Sequence, residues 1–380
     1  MITFFASFLG EFGQFPFASN LSISLADLFL SITIIFFLFM ILKRRKYYEE
    51  LPRSFILVIA FWVVGVFSLI FSLNLGGGLY LLRFISYSFA FFIGYQLVKT
   101  KTIDIIRIFY LVILTGFIFT LGGFLQLIFY PDFKYLEYLG YDPHKNRLAS
   151  TFLDPNFAGI YIAISLFLTF FLFKLKKKII YLFLIIFFSV GIFLTFSRSA
   201  YLMTFLGLAI YSFFKEKVIF FFLILVLLIG ALLIPRVLDR LQGAINLDET
   251  AKKRIQSWEN GVFIFNNNPY LGVGFNNLRF NLEKYNLFDK YLEDGGNSGA
   301  GIDSSFIFVL ATTGILGFFI YLGFWISIIF VLIREKSEYL IFLFLVLGLL
   351  ISSQFINSLF YPPIMLTLYV LLGSILAKDD

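Results

Sequence analysis

The chain has no cysteine, which excludes disulfides, thiolate metal sites and a cysteine nucleophile together. Charge is scarce too: only 14% of the 380 residues are Asp, Glu, Lys or Arg. A soluble domain of this length needs more charge than that to stay in water. His144 is the one histidine, and in a polar stretch after Asp142-Pro143 it reads as a solvated loop residue. What fills the space instead is apolar. Hydrophobic residues make up 60% of the chain, with 56 Phe and 21 Tyr. Runs of about 20 apolar residues recur along nearly the whole length, each long enough to cross about 30 Å of hydrocarbon. The first run does not read as a cleavable signal, because its basic cluster follows the apolar stretch and no small-residue cleavage site is evident.

These runs predict an all-α integral membrane protein, 1–380 forming a single polytopic domain of about eleven (ten to twelve) transmembrane helices. Spans are expected near 22–42, 51–71, 80–98, 106–130, 156–173, 179–196, 199–214, 218–234, 304–333, 339–357 and 360–377. The net charge of +7 does not point to nucleic acid, because the basic residues sit in short clusters between apolar runs and so read as topology signals. Those clusters are Lys43-Arg44-Arg45-Lys46, Lys99 to Arg107, Lys174 to Lys178, Lys215 to Lys217 and Arg334 to Lys336, at every second gap. Assigning that side to the cytoplasm puts 17 of the 30 Lys and Arg inside and only Lys134, Lys145, Arg147 and Arg198 in short outer loops. The C-terminus is then inside and the N-terminus outside. Residues 1–18 are apolar enough to lie in the interface or form a short extra helix.

Two outer segments stand out, 131–155 and a large, partly helical loop over 235–302 between spans eight and nine. The loop opens with Pro235. Asp248 is placed to cap a helix with Glu249 in its first turn, running through Arg254 and Trp258 to about Phe265. Asn266-Asn267-Asn268-Pro269 stops it. Gly272 and Gly274 allow a tight turn, a second short helix covers 276–290, and 294–301 form a flexible link.

The chemistry-bearing residues gather on this outer side. Asn146-Arg147 leads to Asp154-Pro155-Asn156 before the fifth span. Ser197-Arg198-Ser199 forms the turn between spans six and seven. Arg254 and Trp258 precede Asn268-Pro269 and Gly272-Val273-Gly274. Asp303-Ser304-Ser305 opens the ninth span, followed by Thr313-Gly314-Ile315-Leu316-Gly317. Arginines at membrane depth each cost a few kcal/mol unless satisfied. Guanidinium groups give bidentate hydrogen bonds to phosphate and keep their charge, so several converging at one leaflet suit a lipid-linked diphosphate, a good leaving group once neutralised. Each residue also has a plainer reading. Arg147 can contact headgroups, Arg198 can snorkel, and Arg254 can stack on Trp258 within one helix. The glycines can simply form turns, and Asp154 and Asp303 can cap spans five and nine. Arg83, inside span three near its outer end, can face the same cavity.

Arg-x3-Trp followed by Asn-Pro-x2-Gly-x-Gly, here Arg254 to Gly274, resembles the large outer loop of the O-antigen ligase and polymerase superfamily. Asp303-Ser304-Ser305-Phe306 with Thr313-Gly314-Ile315-Leu316-Gly317 is similar to the family's next helix. Ser197-Arg198-Ser199-Ala200 and the pair Arg147 and Asn156 match further signatures, and the resemblance covers about 145–320. It implies a glycosyltransferase of the bacterial cytoplasmic (inner) membrane with its active site facing outside or the periplasm. The implied substrate is a glycan on undecaprenyl diphosphate, with membrane lipids, a flippase and chain-length regulator proteins as partners, no nucleic acid, and no cofactor or metal. The catalytic set is then Arg198, Arg254 and Asp303. Substrate contacts are Arg147, Asn156, Trp258, Gly272, Gly274 and Arg83. Where ligases usually carry a histidine this chain has Asp303, beside Ser304 in place of Asn. A carboxylate can take a proton from a sugar hydroxyl, but the change favours a repeat-unit polymerase over a ligase. A transporter is a competing reading, disfavoured because ionisable groups are nearly absent from span centres. A non-catalytic assembly scaffold is another.

Overall fold

The computed structural model describes residues 1–18, 21–43, 48–215, 217, 246–287, 301–334 and 339–377. Its regular structure is thirteen α-helices, short 3-10 turns and one small antiparallel hairpin among those residues. The N-terminal stretch forms a short helix α1 (Ile2–Phe8), a 3-10 turn (Gly10–Gly13) and the hairpin of β1 (Gln14–Ala18) and β2 (Leu21–Ser24). Long helices follow: α2 (Leu25–Lys43), α3 (Arg53–Phe71), α4 (Gly78–Lys99), α5 (Ile105–Phe129), α6 (Pro155–Lys176), α7 (Ile179–Thr195) and α8 (Arg198–Lys215). The expected loop contributes α9 (Glu249–Asn267) and the short α10 (Leu278–Lys284), and the chain closes with α11 (Ser305–Arg334), α12 (Leu340–Ser352) and α13 (Pro362–Leu376).

Helices are the form these sequences must take in hydrocarbon, because every backbone N–H and C=O then finds a partner within its own segment. Six of them (α2 to α6 and α11) are long and apolar enough to cross a membrane, and α7, α12 and α13 are shorter apolar helices. The described residues are mostly helical, and the chain is a multi-pass membrane protein. Helices α2 to α8 and α11 to α13 fall where ten of the spans are expected. The eighth expected span, 218–234, lies outside the described residues, as do the loop opening at Pro235, the 294–300 link and Arg44 to Lys46 of the first basic cluster.

Burial separates lipid-facing from central helices. On α6, Ala158 through Leu172 are buried without interruption, so this helix is enclosed by others on all sides. On α2, Ile32, Ile35, Phe36 and Phe39 are exposed, an apolar face that hydrocarbon satisfies. Between α4 and α13 the backbones meet closely at glycines: a Cβ on Gly94 would come 2.6 Å from the Val370 carbonyl oxygen, and one on Gly373 2.0 Å from that of Phe91. Such small-residue contacts hold helices together where no hydrophobic driving force acts between them.

One expected span is not continuous. In α11, Gly314 has φ 65° and ψ −167°, which breaks the helix. The spanning part is residues 315–334, about 30 Å at 1.5 Å per residue, which matches the hydrocarbon thickness. The break is held by the segment after α9. The Ile315 amide donates to the Pro269 carbonyl at 2.9 Å, and those of Val273 and Gly274 donate to Ala311 and Thr312 at 3.1 Å each. Gly272 (φ 66°) and Gly314 lie on the two sides of this clasp. A Cβ on Gly272 would meet the Thr312 carbonyl carbon at 2.4 Å, and one on Gly314 the Tyr270 carbonyl carbon at 2.3 Å. Ser68 of α3 donates to both Leu271 O and Thr312 O, at 2.7 and 2.6 Å, so the clasp is tied to the bundle.

Candidate functional site

Three helix starts and the lead-in to a fourth bring polar residues to the end of the bundle where 131–155 and 246–287 lie. Asp154 caps α6, accepting from the Asn156 amide at 2.6 Å, with Pro155 at the first helical position. Arg198 is the first residue of α8. Asp248 caps α9, its Oδ1 accepting from the Ala251 amide at 2.9 Å, as expected from its position before Glu249. Asp303 lies two residues before α11. Each helix N-terminus carries about half a positive charge, so anions are favoured here.

Arg198 sits unfavourably at such an N-terminus, and Asp248 offsets it: Arg198 Nη2 lies 3.0 Å from Asp248 Oδ1. Arg254 follows about one and a half turns into α9. It feels the charges of Asp303, Arg198, Asp154 and Asp248, and desolvation first, then the neighbouring Arg198, pull its pKa down against the three carboxylates. Among the described residues Arg254 makes no hydrogen bond and no ion pair, although it is half-buried. Nor does it stack on Trp258. That indole donates to the backbone carbonyl of Asp303 at 3.0 Å and packs its ring on Phe355, centroids 5.6 Å apart. Ser257 completes the tie, its Oγ accepting from the Asp303 amide at 3.0 Å.

This gives the Arg-x3-Trp spacing a physical reason. Positions three and four apart share a helix face, so Ser257 and Trp258 hold both peptide groups of Asp303 on the face that carries Arg254. The carboxylate itself makes no hydrogen bond among the described residues. Burial raises its pKa to about 6; Arg254 opposes the rise, and Asp154 and Asp142 add to it. Asp154 is raised as well, by burial first, against its two backbone N–H bonds and the charges of Arg147 and Arg254. Carboxylates and guanidinium groups therefore share one electrostatic neighbourhood, and Arg198, Arg254 and Asp303 lie together in it.

The other candidate residues are placed differently. Arg147, 8% exposed, is a strut: its Nε donates to Thr195 O at 2.8 Å and its Nη2 to Phe196 O at 3.3 Å and Asn156 Oδ1 at 3.4 Å. Asn156 Oδ1 in turn accepts from Ser197 Oγ at 2.8 Å, so this pair fixes the turn that carries Arg198. His144, expected in solvent, is half-buried with its Nδ1 3.4 Å from Arg147 Nη1. Arg83 does not turn to the cluster. Asp27 takes it, with Nε and Nη2 at 3.1 and 2.7 Å from the two carboxylate oxygens, and Ser22 O accepts from Nη2 at 2.6 Å. A cation at the edge of an apolar bundle is satisfied by the nearest carboxylate. Gly272 and Gly274 belong to the clasp on α11, at the opposite end of α9 from Arg254. Two residues that the sequence reading took only as helix caps, Asp154 and Asp248, belong to the cluster. Their cap positions were legible, but their shared facing was not. Glu11 was missed altogether. It accepts from Tyr141 at 3.1 Å, feels Arg83 and Asp154, and is pushed up chiefly by burial.

A multi-pass helical membrane protein with buried and half-buried arginines and carboxylates clustered at one end of the bundle is the class these features define. Residues 182–322, a little over a third of the chain, match the family model Wzy_C, O-antigen ligase. The match takes in Arg198, Arg254, Trp258, the clasp glycines and Asp303. It stops short of Arg147 and Asn156. No curated protein matches the chain.

Proposed function

We propose that the protein polymerises oligosaccharide repeat units carried on a polyprenyl diphosphate, at the outer face of the bacterial cytoplasmic membrane. The observation that carries this reading is Arg254, a half-buried guanidinium without a hydrogen-bond or ion-pair partner among the described residues, held one turn from the tether that fixes Asp303. A diphosphate bound by Arg254 and Arg198 would complete the arginine's hydrogen bonding and add to the field of the nearby helix N-termini. A hydroxyl of a second lipid-linked unit attacks C1 of the growing glycan. Its proton passes to the Asp303 carboxylate, which is favoured as a base by a pKa of about 6. The bond from C1 to the diphosphate oxygen breaks, and the carrier diphosphate leaves with the electron pair. A single displacement inverts C1, and the guanidinium groups supply the charge neutralisation a metal ion supplies elsewhere. Arg147 and Asn156 act as positioning residues through the Ser197–Ser199 turn.

The matched family's own description favours a second reading, ligase-type transfer of finished glycan to a lipid or protein acceptor. The two share donor chemistry and differ in what accumulates. Deleting the gene and analysing carrier-linked glycan separates them: single repeat units identify a polymerase, long chains a ligase. Arg254→Ala tests both at once. Loss of polymer on a gel of surface glycan at normal protein level is the expected result, and unchanged polymer would refute the site.

A further inference from the structure

A polar cavity stands at the far end of α9. Its volume is about 350 Å³, and Phe71, Asn74, Asn268, Phe280 and Asn281 are among the residues that line it. That is the size range of small-molecule sites. Behind the lining, the fully buried Asn277 anchors Asn74: its Oδ1 accepts from Gly77 N at 2.8 Å and its Nδ2 donates to Asn74 O at 2.7 Å.

The lining amides are each half committed. Asn74 Oδ1 accepts from Gly76 N at 2.9 Å, Asn268 Nδ2 donates to Ile264 O at 3.4 Å, and Asn281 Nδ2 donates to Asn277 O at 3.0 Å. Among the described residues this leaves Asn74 Nδ2 as a free donor and Asn268 Oδ1 and Asn281 Oδ1 as free acceptors, all held in orientation by their other ends. Phe71 and Phe280 add exposed aromatic rings, 67% and 41% accessible. Fixed donors and acceptors beside an aromatic ring fit a ligand with hydroxyl groups around an apolar ring face, which is the chemistry of a saccharide.

The geometry points to a glycan-binding subsite in this cavity, separate from the arginine cluster and resting on the glycan-transfer reading above. Fourteen residues of helix separate Arg254 from Asn268, so the two sites stand about 21 Å apart along α9. A sugar held at the distal end is therefore several units removed from the bond being made, and α9 sets the spacing.

The test uses full-length protein purified in detergent and a panel of free disaccharides of glucose, galactose, N-acetylglucosamine and rhamnose, followed by saturation-transfer NMR. At least one disaccharide is expected to bind. Phe280→Leu and Asn281→Ala, at unchanged melting temperature, are expected to weaken it about tenfold or more, and Arg254→Ala to leave it unchanged. Binding lost in Arg254→Ala but kept in Phe280→Leu would overturn the assignment, as would no binding across the panel. If Arg254→Ala left cellular polymer intact, the transfer reading would fall while the NMR binding measurement still decided the cavity.

Discussion

One oxygen of Asp248 serves two helices: Oδ1 caps α9 through the Ala251 amide at 2.9 Å and accepts from Arg198 at the start of α8 at 3.0 Å. The turn that carries one arginine and the helix that carries the other are thereby locked in register across 50 residues of sequence.

Substitutions at Asp248 can separate the two duties. Asn caps a helix about as well as Asp, so Asp248→Asn is expected to keep the melting temperature while releasing Arg198. Asp248→Ala should lose about 1 kcal/mol through the cap, and the half-exposed ion pair adds less than about 1 kcal/mol. Both variants are expected to lower glycan output. Equal melting of the Asn and Ala variants would show that the cap contributes nothing.

The role proposed for Asp303 predicts a pH dependence. As a base it must be ionised, and with its pKa near 6 the transfer rate should rise through that pH and level off above it. Arg254 holds this pKa down, so Arg254→Gln should move the remaining activity's midpoint to higher pH. Asp303→Asn is expected to cut the rate about 100-fold or more. The readout is extension of carrier-linked units by protein in liposomes. A flat profile between mildly acidic and mildly alkaline pH, or near-normal rates after the Asp303→Asn substitution, would remove the residue from the chemistry.

The clasp makes Gly272 and Gly314 intolerant of a side chain. Each has a positive φ and a backbone atom within 2.4 Å of where Cβ would stand. Gly314→Ala or Gly272→Ala should cost more than about 2 kcal/mol, combining left-handed strain with the collision. Gly323, whose nearest neighbour would be 3.9 Å away, is the control. Ala there should leave melting unchanged or raise it, by up to about 1 kcal/mol. Comparable melting of all three variants would mean that the clasp does not hold.

Arg147→Lys tests a strut, not a ligand. A lysine ammonium cannot reproduce the fork that reaches Thr195 O, Phe196 O and Asn156 together. With a carbonyl left bare in a buried site, a loss of about 1–3 kcal/mol is expected, together with reduced glycan output. Normal melting with lost output would instead make Arg147 a direct substrate contact.

Local signals in the sequence located much of this architecture. The α9 boundaries follow from Asp248 and from Asn268-Pro269, and the apolar runs mark the helices at α2 to α8. What stayed hidden depends on residues far apart in the chain. Gly314 sits inside a run long and apolar enough to read as one continuous span, and only its contact with Tyr270, 44 residues earlier, shows that the helix stops there. Arg83 pairs with Asp27, 56 residues away, which no spacing rule reaches. Asp154 reads as an ordinary cap until the fold sets it near Arg254. Glu11 is the one carboxylate in an apolar stretch, and its partner Tyr141 lies 130 residues away.

The clasp at Gly314 also makes the C-terminal end of α9 its most firmly held part. The helix is fastened at its Asn268 end by the backbone hydrogen bonds of the clasp, near its middle by Ser257 and Trp258 on Asp303, and at its Asp248 end by one partly exposed ion pair. Its hold on the bundle therefore weakens toward its first turn. Amide exchange should therefore be graded along it, slowest near Phe265 and fastest near Ala251.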